Sequence, residues 1–159
     1  MKKPLKIALG TTVGLLVVAQ FIPVDRSNPP VSAALVPPAG QVGDIMRAAC
    51  NDCHTHETVW PWYSRVAPVS LLVADHVVEG REHLNFSTWG EQTAKRRDHK
   101  LEEFIEMVED GAMPLRSYTL AHPEARLSDS DRQLLIEWAR AERARIQSTP
   151  GFGGADNAG

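Results

Sequence analysis

Apolar residues recur along the chain with the spacing of amphipathic helices. Positions i, i+3, i+4 and i+7 of a short helix just before residue 50 are occupied by Val42, Ile45, Met46 and Ala49. A second helical face extends from Ser70 to about Leu84 and carries Leu72, Val73, His76, Gly80 and His83. No stretch alternates convincingly with a period of two, so the pattern favours an all-α domain.

Two further helices are predicted in the second half of the chain. The first follows Thr88-x-x-Glu91, which resembles a capping box, and its apolar stripe consists of Leu101, Phe104, Ile105 and Val108. Gly111 is its expected C-cap. Ser128-x-x-Asp131 predicts the start of the last helix, whose inward residues are Leu134, Leu135, Trp138 and Ala139.

The N-terminus has the pattern of an export signal. Lys2, Lys3 and Lys6 precede an apolar run that continues to Val24. Because a helix of about 20 residues spans a bilayer, we expect Leu5 to Val24 to be an uncleaved membrane anchor, with a cleaved signal as the alternative. The lysines predict that the rest of the chain faces the periplasm of a bacterium.

Composition divides the chain into four segments. Residues 1–24 form the anchor or signal, 25–40 a Pro-rich linker, 41–147 one small domain, and 148–159 a flexible, Gly-rich tail. The net charge is −3, and the N-terminal segment holds three of the 17 basic residues but none of the 20 acidic ones. Since nucleic-acid binding depends on basic residues, this balance argues against a nucleic-acid partner.

The candidate chemistry lies in the C-x-x-C-H stretch that runs from Cys50 through Cys53 to His54, a pattern typical of c-type haem attachment. The two thiols can form thioethers with the vinyl groups of one porphyrin, and His54 can then bind the iron as proximal ligand. A zinc site without a second cysteine pair would have to combine these three residues with another His, and adjacent Cys53 and His54 fit a tetrahedral site poorly. A redox dithiol would need a βαβ context that the pattern lacks. We therefore expect one covalent haem c per chain.

Met113 is the expected sixth ligand of the iron. It lies in a loop before Pro114, where no helix restricts the approach of its thioether, a soft and neutral ligand. Filling the core is its alternative role. His76 and His83 are the next candidates, and hydrogen-bonded structural roles are the alternative for both.

Four residues that follow the motif are candidate contacts of the porphyrin. The rings of Trp60, Trp62 and Tyr63 can pack against it while their polar edges bond a propionate, and ordinary core packing is the alternative. Arg65 can pair with a propionate, or can lie in solvent on the surface.

These motifs together resemble the bacterial haem-binding domain family. The similarity extends over about Gln41 to Ala144 and is carried by the C-x-x-C-H stretch and by the runs 60–70, 80–89, 111–118 and 122–128. The resemblance implies a membrane-tethered or exported, cytochrome-c-like haem protein. It also implies that Met113 and Pro114 form the family's Met-Pro element.

The sequence therefore predicts a small cytochrome-c-like helical domain that encloses a haem. We expect a membrane-anchored, periplasm-facing mono-haem cytochrome that transfers single electrons with a redox partner protein. No acid–base pair or nucleophile pattern indicates substrate chemistry of its own. The alternatives are the haem module of a peroxidase-like enzyme and a haem-based gas or redox sensor, in both of which the sixth ligand is labile.

Overall fold

The computed structural model describes residues 2–152, and over that range the chain is helical without any strand. Its α-helices are α1 (Lys2–Ala19), α2 (Gln41–Ala49), α3 (Asn51–His54), α4 (Val69–His83), α5 (Ala94–Glu109), α6 (Arg116–Ala121) and α7 (Asp129–Gln147). Short 3₁₀ segments lie at Trp62–Arg65, Phe86–Glu91 and Pro123–Ala125. The predicted all-α class is confirmed; the predicted tail lies outside the described residues from position 153 onwards.

The core is built on the antiparallel packing of α5 against α7. Arg143, near the end of α7, pairs with Asp98 near the start of α5 at 2.9 Å. Arg132, near the start of α7, donates to the carbonyl oxygen of Val108 near the end of α5 at 3.0 Å. The apolar side chains buried in this core include Leu101, Phe104, Ile105, Leu135 and Ala139. α2 packs on α7, so this scaffold fixes the point at which the C-x-x-C-H stretch begins.

Two predicted helix boundaries are confirmed and one is wrong. The Ser128 hydroxyl accepts from the Asp131 backbone N–H, and the Asp131 carboxylate accepts from that of Ser128, which completes a capping box. Gly111 follows α5 with a φ of 67°, a conformation that glycine adopts readily. The predicted cap at Thr88 is wrong because that residue lies inside a 3₁₀ segment. Thr93 caps α5 instead, where its side chain accepts from a backbone N–H of the first turn.

The Pro-rich segment between α1 and α2 lies along the helical domain. The Leu35 N–H donates to the Phe86 carbonyl oxygen at 2.7 Å, and the Gly90 N–H donates to the Ala33 carbonyl oxygen at 2.8 Å. The Arg81 guanidinium of α4 donates to the carbonyl oxygen of residue 27 and to the side-chain oxygen of residue 28. The predicted Pro-rich linker is therefore held against the domain by backbone and side-chain hydrogen bonds.

α1 has an apolar, exposed surface and ends at Ala19, short of the predicted end of the span at Val24. Gln20 then exchanges two hydrogen bonds with the backbone of Ala67, each 3.1 Å long. Three lysines within the 18 residues of α1 lower its mean hydropathy. No helix within residues 2–152 is long and apolar enough to cross a membrane, so the predicted transmembrane helix is not supported.

Candidate haem-binding site

A cavity of about 810 Å³ is lined by α3, α4, α5, α6 and the loop that joins the last two. Binding pockets for organic ligands typically enclose about 300–1,000 Å³ and have mostly apolar walls with a few polar groups. The five residues predicted to share one face of α4 all line this cavity: Leu72, Val73, His76, Gly80 and His83. Its size and lining fit a flat, largely apolar group such as a porphyrin.

The two cysteines and the histidine of the motif lie together on the cavity wall. α2 ends at Ala49, and the short helix α3 that follows brings Cys50, Cys53 and His54 to the same cavity. Burial, assisted by the neighbouring Cys53, raises the pKa of Cys50 to about 12, and burial raises that of Cys53 to about 11. Redox-active dithiols need a lowered thiol pKa, so these surroundings disfavour the dithiol alternative.

A zinc site also receives no support from the arrangement of side chains. Across residues 2–152, no group of three or more His, Cys, Asp or Glu side chains is arranged to hold a metal ion. Zinc in a structural site needs four ligands in a tetrahedron, and the motif offers adjacent residues instead. A haem iron needs only one or two axial ligands from the protein, and His54 and Met113 line this cavity.

The His54 imidazole is fixed by two backbone carbonyl groups of α4 and its C-cap. Its Nδ1 lies 2.9 Å from the carbonyl oxygen of Gly80 and 2.9 Å from that of Leu84. Because both partners can only accept, the proton resides on Nδ1 and the lone pair of Nε2 is left free. Burial lowers the pKa of His54 against the opposing effect of these hydrogen bonds. The neutral ring with a free Nε2 is the form that binds iron, so the residues fit a proximal haem ligand.

Gly80 allows α4 to approach the motif closely. A Cβ at this position would lie 2.7 Å from the carbonyl oxygen of Cys53 and 3.0 Å from its Cβ. No side chain fits into this space without moving one of the helices. Gly80 therefore has two roles. Its lack of a side chain lets α4 approach the motif, and its carbonyl oxygen lies within hydrogen-bond distance of His54.

Met113 lines the same cavity as His54, in the loop after α5. Its backbone N–H donates to the carbonyl oxygen of Met107 at 3.0 Å, which anchors the loop to the end of the helix. Met107, His76 and His83 also line the cavity. His54 and Met113, the two residues expected to be axial ligands, therefore line one cavity, and ligation by either stays a prediction.

Of the four expected porphyrin contacts that follow the motif, only Tyr63 lines the cavity. The 3₁₀ turn Trp62–Arg65 buries Ser64 and turns Trp62 and Arg65 outwards, so that Trp62 is 77% exposed. Trp60 is half-buried away from the cavity, and its indole N–H has no hydrogen-bond partner among the described residues. The sequence of a proline-containing loop does not reveal which of its aromatic rings face inwards. Here the 3₁₀ turn Trp62–Arg65 determines which rings do so.

Several other polar residues of the site were not predicted from the sequence. Asp52, in the middle of the motif, accepts from the Val59 N–H at 3.0 Å and from the Tyr118 hydroxyl at 2.8 Å. Tyr118 stacks on His122 with ring centroids 4.2 Å apart, and His122 bonds the Tyr63 hydroxyl at 2.7 Å. The short helix α6 was not predicted. The spacing of four between Tyr118 and His122 is the one signal that indicates it.

The comparisons with known proteins bear on the same residues. The model of a family described as haem-binding domain matches residues 14–141, a range that contains Cys50, Cys53, His54 and Met113. No curated protein and no solved structure matches the chain.

Replacing Gly80 with alanine is expected to separate α4 from the motif. The new Cβ would force the helix or the Cys53 backbone to move, at a cost of about 1–3 kcal/mol in the free energy of unfolding. Thermal and denaturant unfolding of the purified protein measure this cost. Asp75→Ala, an exposed substitution on the same helix, is the control and should change stability little. Equal stability of Gly80→Ala and Asp75→Ala would contradict the close approach.

Proposed function

Because the chain belongs to the haem-binding domain family, we propose that it is a mono-haem c-type cytochrome that transfers single electrons. The observation that carries the proposal is the fixed orientation of His54, beside Cys50 and Cys53 on the wall of one cavity. A tethered imidazole with a free Nε2, next to two thiols at the spacing of haem attachment, is the arrangement that c-type cytochromes require.

Each side chain of the motif has a distinct role in this proposal. The S–H groups of Cys50 and Cys53 add across the two vinyl groups of one porphyrin, which forms two thioethers and consumes both thiol protons. His54 Nε2 and the Met113 thioether would hold the iron. The bound haem supplies a reversible one-electron couple. The apolar wall of α4 and α5 excludes water from it.

Electron transfer is favoured over enzymatic turnover by the place of Met113. A filled sixth position leaves no site for peroxide or a gas to bind, and a thioether ligand raises the reduction potential. An electron carrier also needs an exposed surface near its cofactor, and the residues around the cavity include the exposed apolar side chains Val59, Val69 and Leu72. The redox partner in this proposal is a protein.

Export is the second part of the proposal. The lysines at the start of α1 and the apolar residues that follow them in the same helix form the pattern of a signal that directs the domain to the periplasmic side of a bacterial membrane. Covalent haem attachment to this motif takes place on that side, so the two features support each other.

Purified protein should retain one haem per chain after extraction with acidified acetone, because thioethers survive a treatment that removes bound haem. Intact-mass measurement detects the added mass. Cys50→Ala combined with Cys53→Ala should lose all retained haem, whereas each single variant keeps one thioether and serves as the control. A wild-type mass equal to that of the bare polypeptide would sink the proposal of a c-type cytochrome.

Met113→Ala should leave the haem attached, since the thioethers and His54 do not depend on it. The variant should have a lower reduction potential, and its ferrous form should bind carbon monoxide rapidly. Absorption spectra and redox titration measure both effects. Met107→Ala removes a methionine from the same cavity and should stay inert to carbon monoxide. If Met113→Ala keeps the wild-type spectrum, potential and inertness, another residue holds the sixth position.

Cell fractionation tests the export. We expect haem-loaded protein on the periplasmic side, where added protease digests it in spheroplasts but not in intact cells. N-terminal sequencing of the same sample distinguishes a retained α1 from a cleaved one. Protection from protease in spheroplasts, with the domain in the cytoplasm, would refute export.

A further inference from the structure

A chain of hydrogen bonds connects the haem-binding cavity to the protein surface. The Tyr63 hydroxyl lies 2.7 Å from His122 Nε2, and both residues line the cavity. On the other edge of the ring, His122 Nδ1 lies 3.0 Å from a carboxylate oxygen of Glu124. The His122 side chain is 19% exposed and that of Glu124 is 61% exposed, so the chain ends in solvent. We call these three residues the Tyr-His-Glu chain.

The other groups that face His122 belong to the same polar cluster. Tyr118 stacks on the ring, and the Tyr118 hydroxyl donates to the Asp52 carboxylate at 2.8 Å. Burial, assisted by nearby acidic groups, raises the pKa of Tyr63, so its phenol stays neutral. The cluster therefore presents one imidazole between two tyrosines and two carboxylates, surroundings that accommodate a positive charge on His122.

Protonation of His122 reverses the direction of its hydrogen bond with Tyr63. In the neutral ring, Nδ1–H donates to Glu124 and Nε2 accepts from the Tyr63 hydroxyl. In the imidazolium both nitrogens donate, so the Tyr63 oxygen must accept and its hydrogen must turn away. Since Tyr63 lines the cavity, its hydroxyl is then free to donate into it.

We propose that the Tyr-His-Glu chain couples reduction of the haem to the uptake of one proton at His122. This inference rests on the proposed function. One electron from a reductant, the partner protein or dithionite in the test, converts ferric to ferrous iron. One proton from solvent then binds Nε2 of His122, the nitrogen that carries no hydrogen in the neutral ring, while Glu124 holds the Nδ1 proton, and oxidation releases the electron and the proton again. The positive charge gained at His122 offsets the negative charge gained in the cavity.

The coupling should be of measurable size. Two unit charges about 10 Å apart, at an effective dielectric constant of about 20, interact strongly enough to change the equilibrium constant for binding a proton or an electron by roughly tenfold. The reduction potential of the wild-type protein should therefore fall as the pH rises, because fewer protons are available to accompany the electron.

Redox titrations of the haem-loaded protein between pH 5 and 9 test this coupling. His122→Gln keeps a polar side chain without a titrating ring, and its potential should fall less than that of the wild type as the pH rises. Glu124→Gln, on the surface, should change this pH profile because it removes the carboxylate that accepts from His122 Nδ1. His99→Gln replaces an exposed histidine of α5 and should behave as the wild type.

The outcomes separate this inference from the proposed function. A reversible one-electron couple whose potential does not change with pH, or changes equally in His122→Gln and the wild type, overturns the coupling and leaves the cytochrome standing. Absence of a reversible couple overturns both. If His122→Gln fails to fold with haem, Glu124→Gln decides: a pH profile identical to the wild type rejects the chain, and a shifted profile supports it.

Discussion

The hydrogen bonds from the His54 imidazole to the carbonyl oxygens of Gly80 and Leu84 are the interaction on which the site depends. The Leu84 carbonyl group at the C-cap of α4 has no partner within the helix, whereas the Gly80 carbonyl group also accepts from the Leu84 N–H. The His54 imidazole therefore gives the Leu84 carbonyl oxygen a partner, and its two hydrogen bonds select the imidazole tautomer. They also direct Nε2 away from α4, as a metal ligand requires.

The remainder of the fold keeps α3 and α4 at the separation that these bonds need. Gly80 removes the side chain that would keep the two helices apart. Arg81, the next residue, bonds the carbonyl oxygen of Thr55 and the hydroxyl of Thr58 while it also reaches the segment before α2. The segment before α2 is thus tied to the same turn of α4 that bonds His54, and α5 with α7 provides the opposite wall of the cavity. A rigid ligand in an apolar cavity changes little between two redox states, which suits an electron carrier.

The helices and the motif were predictable because each follows from local patterns. The stripe of Leu101, Phe104 and Ile105 has the period of a buried helix face, and Ser128 with Asp131 has the spacing of a capping box. The cap at Thr88 was mispredicted because the same spacing fits a 3₁₀ segment capped by Asn85. Which residue caps a helix depends on the backbone conformation around it, and the spacing of residues in the sequence indicates that conformation only in part.

The polar side of the site depends on contacts between residues distant in sequence. The pairing of Tyr63 with His122 joins two segments separated by 59 positions, and no local pattern encodes it. The same holds for Arg81, whose four hydrogen bonds join it to oxygen atoms of residues 27, 28, 55 and 58. Trp62 is a large ring beside the motif, yet the turn that contains it directs it into solvent. The local sequence identifies the candidate iron ligands, while tertiary packing determines which residues surround them.

A crystal structure of the haem-loaded protein tests the account most directly. It should show the iron bound to Nε2 of His54, the Nδ1 of the same ring within hydrogen-bond distance of the Gly80 and Leu84 carbonyl oxygens, and the porphyrin joined to both cysteines. Iron bound to His76 or His83 in place of His54, or a His54 ring turned so that Nδ1 faces the iron, would contradict it.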